Sequence, residues 1–199
     1  MNYIIEQGKA DAPVFILLHG TGGDEHSLLP IGKELNADAT LIGIRGTVQE
    51  DGMNRYFRRL AEGIYDEKDL ESRGKELDDF IDGLTQTYDF SFDQVTLIGY
   101  SNGANIAVNL MLRDSRLKKA ILLHPMYPIN VMNSEHLKNT ETFMTFGTHD
   151  PIVPIEESHR VLNLFAENHG DITYVWTQSH QLTYEEISEA KKWLENKRS

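Results

Sequence analysis

The sequence predicts an α/β fold: three layers in a single domain spanning residues 1–199. Two observations carry this prediction. Strand-sized apolar runs alternate with amphipathic stretches along the chain, the pattern of a mostly parallel sheet covered by helices on both faces. A chain of 199 residues, 40% hydrophobic and 25% charged, is within the range of one ordinary domain and can enclose a core without disulfide or metal staples. No repeat, low-complexity tract or Gly/Ser/Pro linker marks a boundary inside it.

The elements follow in order. Residues 14–18, Val-Phe-Ile-Leu-Leu, read as a fully buried strand that runs into a glycine-rich turn. Residues 26–35 suit a helix, 39–44 a second strand and 94–98 a third. Between these last two, residues 66–88 place Leu70, Leu77, Ile81 and Leu84 on one helical face. Residues 106–112 form the next helix. Strands at 119–123, 142–146 and 172–176 then alternate with helices at 156–168 and 183–197, the last opened by Thr183 and Glu186 in capping-box spacing. One segment breaks the rhythm. Residues 46–65 have weak periodicity, and a connection that long is usually functional; its residues Met53, Tyr56, Phe57, Arg58 and Arg59 are read as lining a pocket.

Charge and composition exclude several classes of function. Asp and Glu number 31 against 19 Lys and Arg, a net charge of −12, which repels phosphate backbones and anionic lipid surfaces. There are no cysteines, hence no thiol nucleophile, iron–sulfur cluster or Cys-zinc site. The opening Met1-Asn2-Tyr3-Ile4-Ile5-Glu6 lacks the basic and apolar regions of a signal peptide, and no apolar run could span a bilayer. The expectation is a cytoplasmic protein with no nucleic-acid or membrane partner.

The strongest motif is Gly99-Tyr100-Ser101-Asn102-Gly103, set between a buried strand and a helix. That is the context of a nucleophile elbow, whose turn is too tight for side chains on both flanks of the serine. A serine hydroxyl needs a histidine to take its proton, and that histidine needs a carboxylate on its far nitrogen. In the order Ser, acid, His, with acid and base on loops after later strands, Asp150 in Gly147-Thr148-His149-Asp150-Pro151 is the candidate acid. His180, between the last strand and the last helix, is the candidate base. Asp171 is the runner-up acid, but it precedes its strand. His19, His26 and His124 fall in the wrong part of the order, while His136 and His159 sit in helical segments.

The oxyanion needs two donors. The elbow provides the backbone N–H of Asn102, and the glycine-rich loop His19-Gly20-Thr21-Gly22-Gly23-Asp24 is expected to provide that of Thr21. That loop lacks the Lys-Ser/Thr of a phosphate cradle and breaks the G-x-G-x-x-G spacing at Glu25; His19 reads as a brace for it. No histidine pair has metal-ligand spacing, so neither a metal nor a cofactor is expected.

These motifs together resemble the phospholipase/carboxylesterase family of α/β-hydrolases. The segments are residues 19–25, Gly99-Tyr100-Ser101-Asn102-Gly103-Ala104-Asn105, Gly147-Thr148-His149-Asp150-Pro151 and His180-Gln181-Leu182-Thr183. The stretch 45–63 is similar to a bacterial branch of that family associated with quinone or hydroquinone stress. The resemblance runs from about Val14 to Leu194 and implies a compact α/β-hydrolase fold with no large lid domain. It also implies Ser101, Asp150 and His180 as triad, and Thr21 and Asn102 as oxyanion hole. Two features depart from the family pattern: Ser179 stands where a glycine usually precedes the histidine, and Tyr56-Phe57-Arg58 replace the tryptophan of the thioesterase relatives.

The expected activity is a serine carboxylesterase acting on small, short-acyl esters. The alternatives are an acyl-protein thioesterase or lysophospholipase, which needs a long apolar channel walled by Met53, Phe57, Met126 and Leu182, and a non-catalytic binding protein of the same fold. A homodimer is compatible with either.

Overall fold

The computed structural model describes residues 1–61, 63–131 and 134–197. Seven strands build one sheet among them: β1 (Tyr3–Glu6), β2 (Val14–Leu18), β3 (Thr40–Ile44), β4 (Val95–Tyr100), β5 (Lys119–Leu123), β6 (Glu141–Gly147) and β7 (Asp171–Thr177). Their spatial order is β1-β3-β2-β4-β5-β6-β7. Only β1 runs antiparallel, against β3, and every other pairing is parallel. This is the mostly parallel sheet of an α/β-hydrolase.

Strand alternation sorts each side chain to one of two cores. Ile16, Leu18 and Ile42 point to the face covered by α2 (Glu67–Tyr88), α3 (Asn102–Arg113) and α4 (Ile155–Glu167). Phe15, Leu17 and Leu41 point to the other, where α1 (Leu29–Leu35) and α5 (Tyr184–Asn196) contribute Leu29, Leu35, Ile187 and Trp193. Because β2 is buried on both faces, its run is apolar throughout.

The elements expected from periodicity are present, with boundary shifts that have local causes. α1 begins at Leu29, not at residue 26, because Asp24 and Ser27 close a turn of their own. The Asp24 N–H donates to Ser27 Oγ at 2.9 Å, and the His26 N–H to Asp24 Oδ1 at 3.0 Å. α3 begins four residues before the expected 106, directly after Ser101. Within the segment 46–65 the described residues form two small antiparallel pairs, Val48–Glu50 with Met53–Arg55 and Arg59–Ala61 with Ile64–Tyr65. Both lie beyond the carboxyl end of β3.

This topology positions a site. The sheet grows one way from β2 to β3 and the other way from β4 onward. Loops leaving the carboxyl ends of β2 and β4 therefore diverge and open a crevice between them, the usual binding place of an open α/β sheet. No described helix is long and apolar enough to cross a membrane.

Candidate functional site

Ser101 lies at the mouth of that crevice, between β4 and α3. Its backbone adopts φ 52° and ψ −116°, left-handed torsions that are costly for a residue with a Cβ and recur at functional turns. The flanking glycines make the turn possible. A Cβ on Gly103 would fall 2.0 Å from the Leu18 carbonyl oxygen, and one on Gly99 would fall 2.6 Å from the Gly103 carbonyl oxygen. The strain is held by the Ser101 N–H donating to the Leu123 carbonyl at 2.9 Å and by the Ser101 carbonyl accepting from Asn105 at 2.9 Å.

Asp150 and His180 arrive from the loops after β6 and β7, which pair in register along their length. The pairing continues past the strands, as Thr148 and His149 donate their N–H groups to the Thr177 and Gln178 carbonyls, each at 2.9 Å. His180 Nε2 lies 2.9 Å from Ser101 Oγ, and His180 Nδ1 lies 2.6 Å from Asp150 Oδ2. The three expected residues therefore form one hydrogen-bonded line. Asp150 Oδ1 accepts from the N–H groups of Ile152 at 2.7 Å and Val153 at 2.9 Å. Burial pushes the Asp150 carboxyl up, but the His180 bond and these two N–H donors outweigh it and hold it below the usual carboxylate value. Asp171, the other acid weighed, begins β7 at the opposite edge and pairs with Lys197.

The loop after β2 faces Ser101 and is clamped by the first hairpin. Gly22 donates to the Asn54 carbonyl at 2.9 Å, Asn54 Nδ2 to the Gly23 carbonyl at 2.7 Å, and Arg55 Nη1 to Thr21 Oγ1 at 2.8 Å. His19 is the internal brace. Its Nε2 accepts from the Gly46 N–H at 3.0 Å, so the proton sits on Nδ1, which donates to the Gly20 carbonyl at 2.6 Å. Burial, the largest influence, pushes the His19 imidazole below its ordinary value, as a neutral brace requires. Tyr56 ties the loop to the elbow: its hydroxyl accepts from the His19 N–H at 3.0 Å and donates to the Ile44 carbonyl at 2.5 Å, while its own N–H donates to Asn102 Oδ1 at 2.7 Å. The Asn102 N–H opens α3, where no intrahelical acceptor exists for it.

A cavity of about 520 Å³ spans these parts. Thr21, Ser101, Asn102 and His180 line it, and residues 46–65 supply Met53, Arg55, Arg59, Gly63 and Tyr65. Of the four wall residues expected from sequence, Met53 lies in this lining. Phe57 does not: it is fully buried, edge-on to Tyr65 with ring centroids 5.3 Å apart. Met126 is buried with its N–H on Asn105 Oδ1, and Leu182 packs toward the core beneath α5. The reason is chain direction. The Tyr56 N–H and the Phe57 carbonyl are both bonded inward, to Asn102 and Arg55, which drives both aromatic rings into the core; Arg55 and Arg59 remain at the wall, while Arg58 turns away to pair with Asp66. Glu62 of this segment lies outside the described residues.

Arg55, Arg59 and Tyr65 at the wall, and Asn102 and Tyr56 as clamps between loop and elbow, complete the arrangement. The matching pattern extends along the chain, and a model of the phospholipase/carboxylesterase family matches residues 1–197. The chain belongs to the phospholipase/carboxylesterase family. It is 43% identical over 195 residues to the protein MhqD of Bacillus subtilis (strain 168), covering 97% of each chain. A solved Bacillus cereus carboxylesterase is similar at 41% identity and a TM-score of 0.95, covering 98% of this chain and 94% of that one. YahD, solved with malic acid, is similar at 31% identity and a TM-score of 0.93, covering 98% of each.

Behind the triad-like line, this carboxylesterase-family chain carries a second pair that sequence order passed over. His124, which directly follows β5 with φ 53°, is fully buried, and its Nε2 lies 3.0 Å from Glu186 Oε2. Its Nδ1 has no hydrogen-bond partner among the described residues and lies 3.7 Å from Asp150 Oδ2. The capping-box spacing identified Glu186, whose Oε1 accepts from the Thr183 N–H and Oγ1 at the start of α5. Nothing in that spacing signalled its other oxygen on His124. Ligand-capable atoms of His124, Asp150 and His180 lie within 4.8 Å of one another, but a metal there would take the Asp150 oxygen and His180 nitrogen that already bond each other.

Proposed function

We propose that the protein is a serine carboxylesterase that hydrolyses small, short-acyl esters through an acyl-enzyme. The single observation that carries this reading is the Ser101–His180–Asp150 hydrogen-bonded line, aimed from a strained elbow into the cavity. His180 takes the Ser101 proton as Oγ bonds to the ester carbonyl carbon, and Asp150 holds the imidazole with Nε2 toward the serine and stabilises its charged form. The carbonyl oxygen gains the negative charge between the N–H groups of Thr21 and Asn102. Collapse breaks the bond to the alcohol, which leaves with the proton from His180. Water then repeats the sequence on the acyl-serine, releasing the carboxylic acid and restoring Ser101.

The cavity supports a short acyl group. Arg55, Arg59, Thr21 and Tyr65 interrupt its wall, and a long tail would find no continuous apolar sheath. YahD was solved with malic acid, a small polar molecule, in keeping with a small substrate. Each methylene the pocket encloses contributes about 0.8 kcal/mol, roughly fourfold in rate, until the enclosure ends. Across p-nitrophenyl esters from C2 to C16, kcat/KM is expected to peak between C2 and C6 and then decline. A steady rise through C12 or C16 would return the thioesterase or lysophospholipase reading to first place.

A further inference from the structure

Two carboxylates and two imidazoles alternate behind Ser101, where a triad needs one of each. The order is Glu186, His124, Asp150, His180. Glu186 Oε2 lies 3.0 Å from His124 Nε2, and Asp150 Oδ2 lies 3.7 Å from His124 Nδ1 and 2.6 Å from His180 Nδ1. The side chains of Glu186 and His124 are 0% exposed and that of Asp150 1%, so water screens neither acid.

The strand ends fix this order. His124 holds its left-handed φ of 53°, uncommon for a residue with a Cβ, while its N–H donates to the Thr145 carbonyl at 3.0 Å. The carbonyl just before it, that of Leu123, is the one that accepts from the Ser101 N–H. Tyr100 closes another side, edge-on to His124 with ring centroids 6.2 Å apart, and its hydroxyl donates to the His180 carbonyl at 3.0 Å. Burial first, then the charges of Asp150 and Glu186, push the Tyr100 phenol up, so it stays neutral. Among the described residues, the titratable groups facing His124 are thus Glu186 from α5, Asp150 and His180 from the loops after β6 and β7, and Tyr100 from β4.

Both acids stay ionised. Burial pushes each carboxyl up, but hydrogen bonds and the neighbouring histidines hold Asp150 and Glu186 below their ordinary values. A neutral imidazole between them would turn a bare nitrogen toward one carboxylate or the other, whichever tautomer it adopted. The imidazolium alone meets both with an N–H. Asp150 Oδ2 can receive it, because a carboxylate oxygen has room for a second donor beside His180 Nδ1; Oδ1 is taken by the N–H groups of Ile152 and Val153. With that proton in place, the group carries a single negative charge at rest and becomes neutral when His180 takes the Ser101 proton. Without it, both carboxylates would be buried at rest with no cation between them.

Resting on the esterase reading, we propose that His124 is a positioning residue of the reaction. Carrying a proton on both ring nitrogens, it bridges Glu186 to Asp150, holds the Asp150 carboxylate against His180, and keeps His180 Nε2 bare, ready for the Ser101 proton, to lower pH. The last effect follows from like charge. The His124 and His180 ring centroids are 5.2 Å apart, close enough for a cation on one to oppose a cation on the other. Because His180 must be neutral to accept from Ser101, a neutral residue at position 124 moves the acid limb of kcat/KM to higher pH.

The test is the pH profile of kcat/KM for p-nitrophenyl acetate on the full chain, from about pH 5 to about pH 9. His124→Gln is expected to move the acid limb up by about one pH unit, roughly tenfold in rate on the limb. Glu186→Gln removes the anchor that keeps His124 charged and is expected to move the limb the same way, and the double variant no further than either single change. A merely structural role lowers the plateau and leaves the limb in place. The unaltered protein gives a second readout that needs no variant to fold. With isotopically labelled histidine read by nitrogen NMR, both ring nitrogens of His124, assigned through contacts with Tyr100, are expected to carry protons at neutral pH. A limb that stays or moves down, shifts that add in the double variant, or a bare His124 nitrogen at neutral pH overturns the proposal and leaves the esterase reading standing. No turnover of any ester by the wild type overturns both.

Discussion

At Asp150, two oxygens do separate work. Oδ1 is spent on the backbone of its own loop, and Oδ2 faces His180 with His124 behind it. Asp150→Asn keeps the shape but presents an amide where the imidazole N–H must be accepted, which favours the wrong tautomer. The expected result is an unchanged circular-dichroism spectrum with kcat lower by about 10⁴-fold, whereas Asp171→Asn, at the far edge of the sheet, leaves kcat near the wild-type value. The reverse ranking would mean that Asp171 is the acid.

Glu186 makes a different prediction at the same scale. Burial pushes its carboxyl up, but the hydrogen bond and charge of His124 and the capping contacts pull it below the ordinary value. A carboxylate whose folded pKa is depressed holds fewer protons in the folded state than in the unfolded one. Its stabilisation is present above the unfolded value of about 4.3 and is lost as pH falls through the lower folded value. Glu186→Gln is expected to cost about 1–3 kcal/mol at neutral pH, roughly 2–12 °C in Tm for a chain of this size. The gap to the wild type should close as melts are recorded at progressively lower pH. A gap that stays constant down to pH 3 would show that the charge of Glu186 contributes nothing.

Among the elements, the hairpin of residues 48–55 and Tyr56 are what fix the glycine-rich loop after β2 against the elbow. Tyr56→Phe removes the one hydroxyl that bridges the His19 N–H and the Ile44 carbonyl, and leaves two buried main-chain groups without that partner. Stability should fall by about 1–3 kcal/mol, and kcat should fall at least tenfold more than KM changes, because in the proposed mechanism a displaced Thr21 N–H weakens charge stabilisation in the transition state rather than ground-state binding. Thermal melts and steady-state kinetics on the same preparation separate the two effects.

That hairpin also marks where the sequence stopped being legible. Strands buried on both faces announce themselves by continuous apolar runs, so residues 14–18 and 119–123 are readable to the residue. The hairpin strands are three residues long or shorter, too few for alternation to register, and β1 is a four-residue edge strand whose antiparallel pairing depends on β3, more than 30 residues further along the chain, as in Tyr3 opposite Ile44. The inward turn of Phe57 depends on hydrogen bonds to Asn102 and Arg55 that no spacing encodes. Ser101, Asp150 and His180 could be picked out because each closely follows a readable strand at the same edge. His124 follows one too, but chain order alone set it aside, and only the packing of α5 against β6 and β7 brings Glu186 to it.

For the molecule as a whole, the sheet reversal at β2 creates the crevice, the elbow puts Ser101 into it, and the loops after β6 and β7 bring Asp150 and His180 to the serine. Everything proposed about substrate depends on Ser101 Oγ being an activated nucleophile. Reaction with a fluorophosphonate, read by intact mass, tests this most directly. The wild type is predicted to gain one adduct, located on Ser101 by peptide mapping, and Ser101→Ala is predicted to gain none while melting as the wild type does. An adduct of equal yield on the folded alanine variant, or a wild type left unmodified by the reagent, would contradict the account.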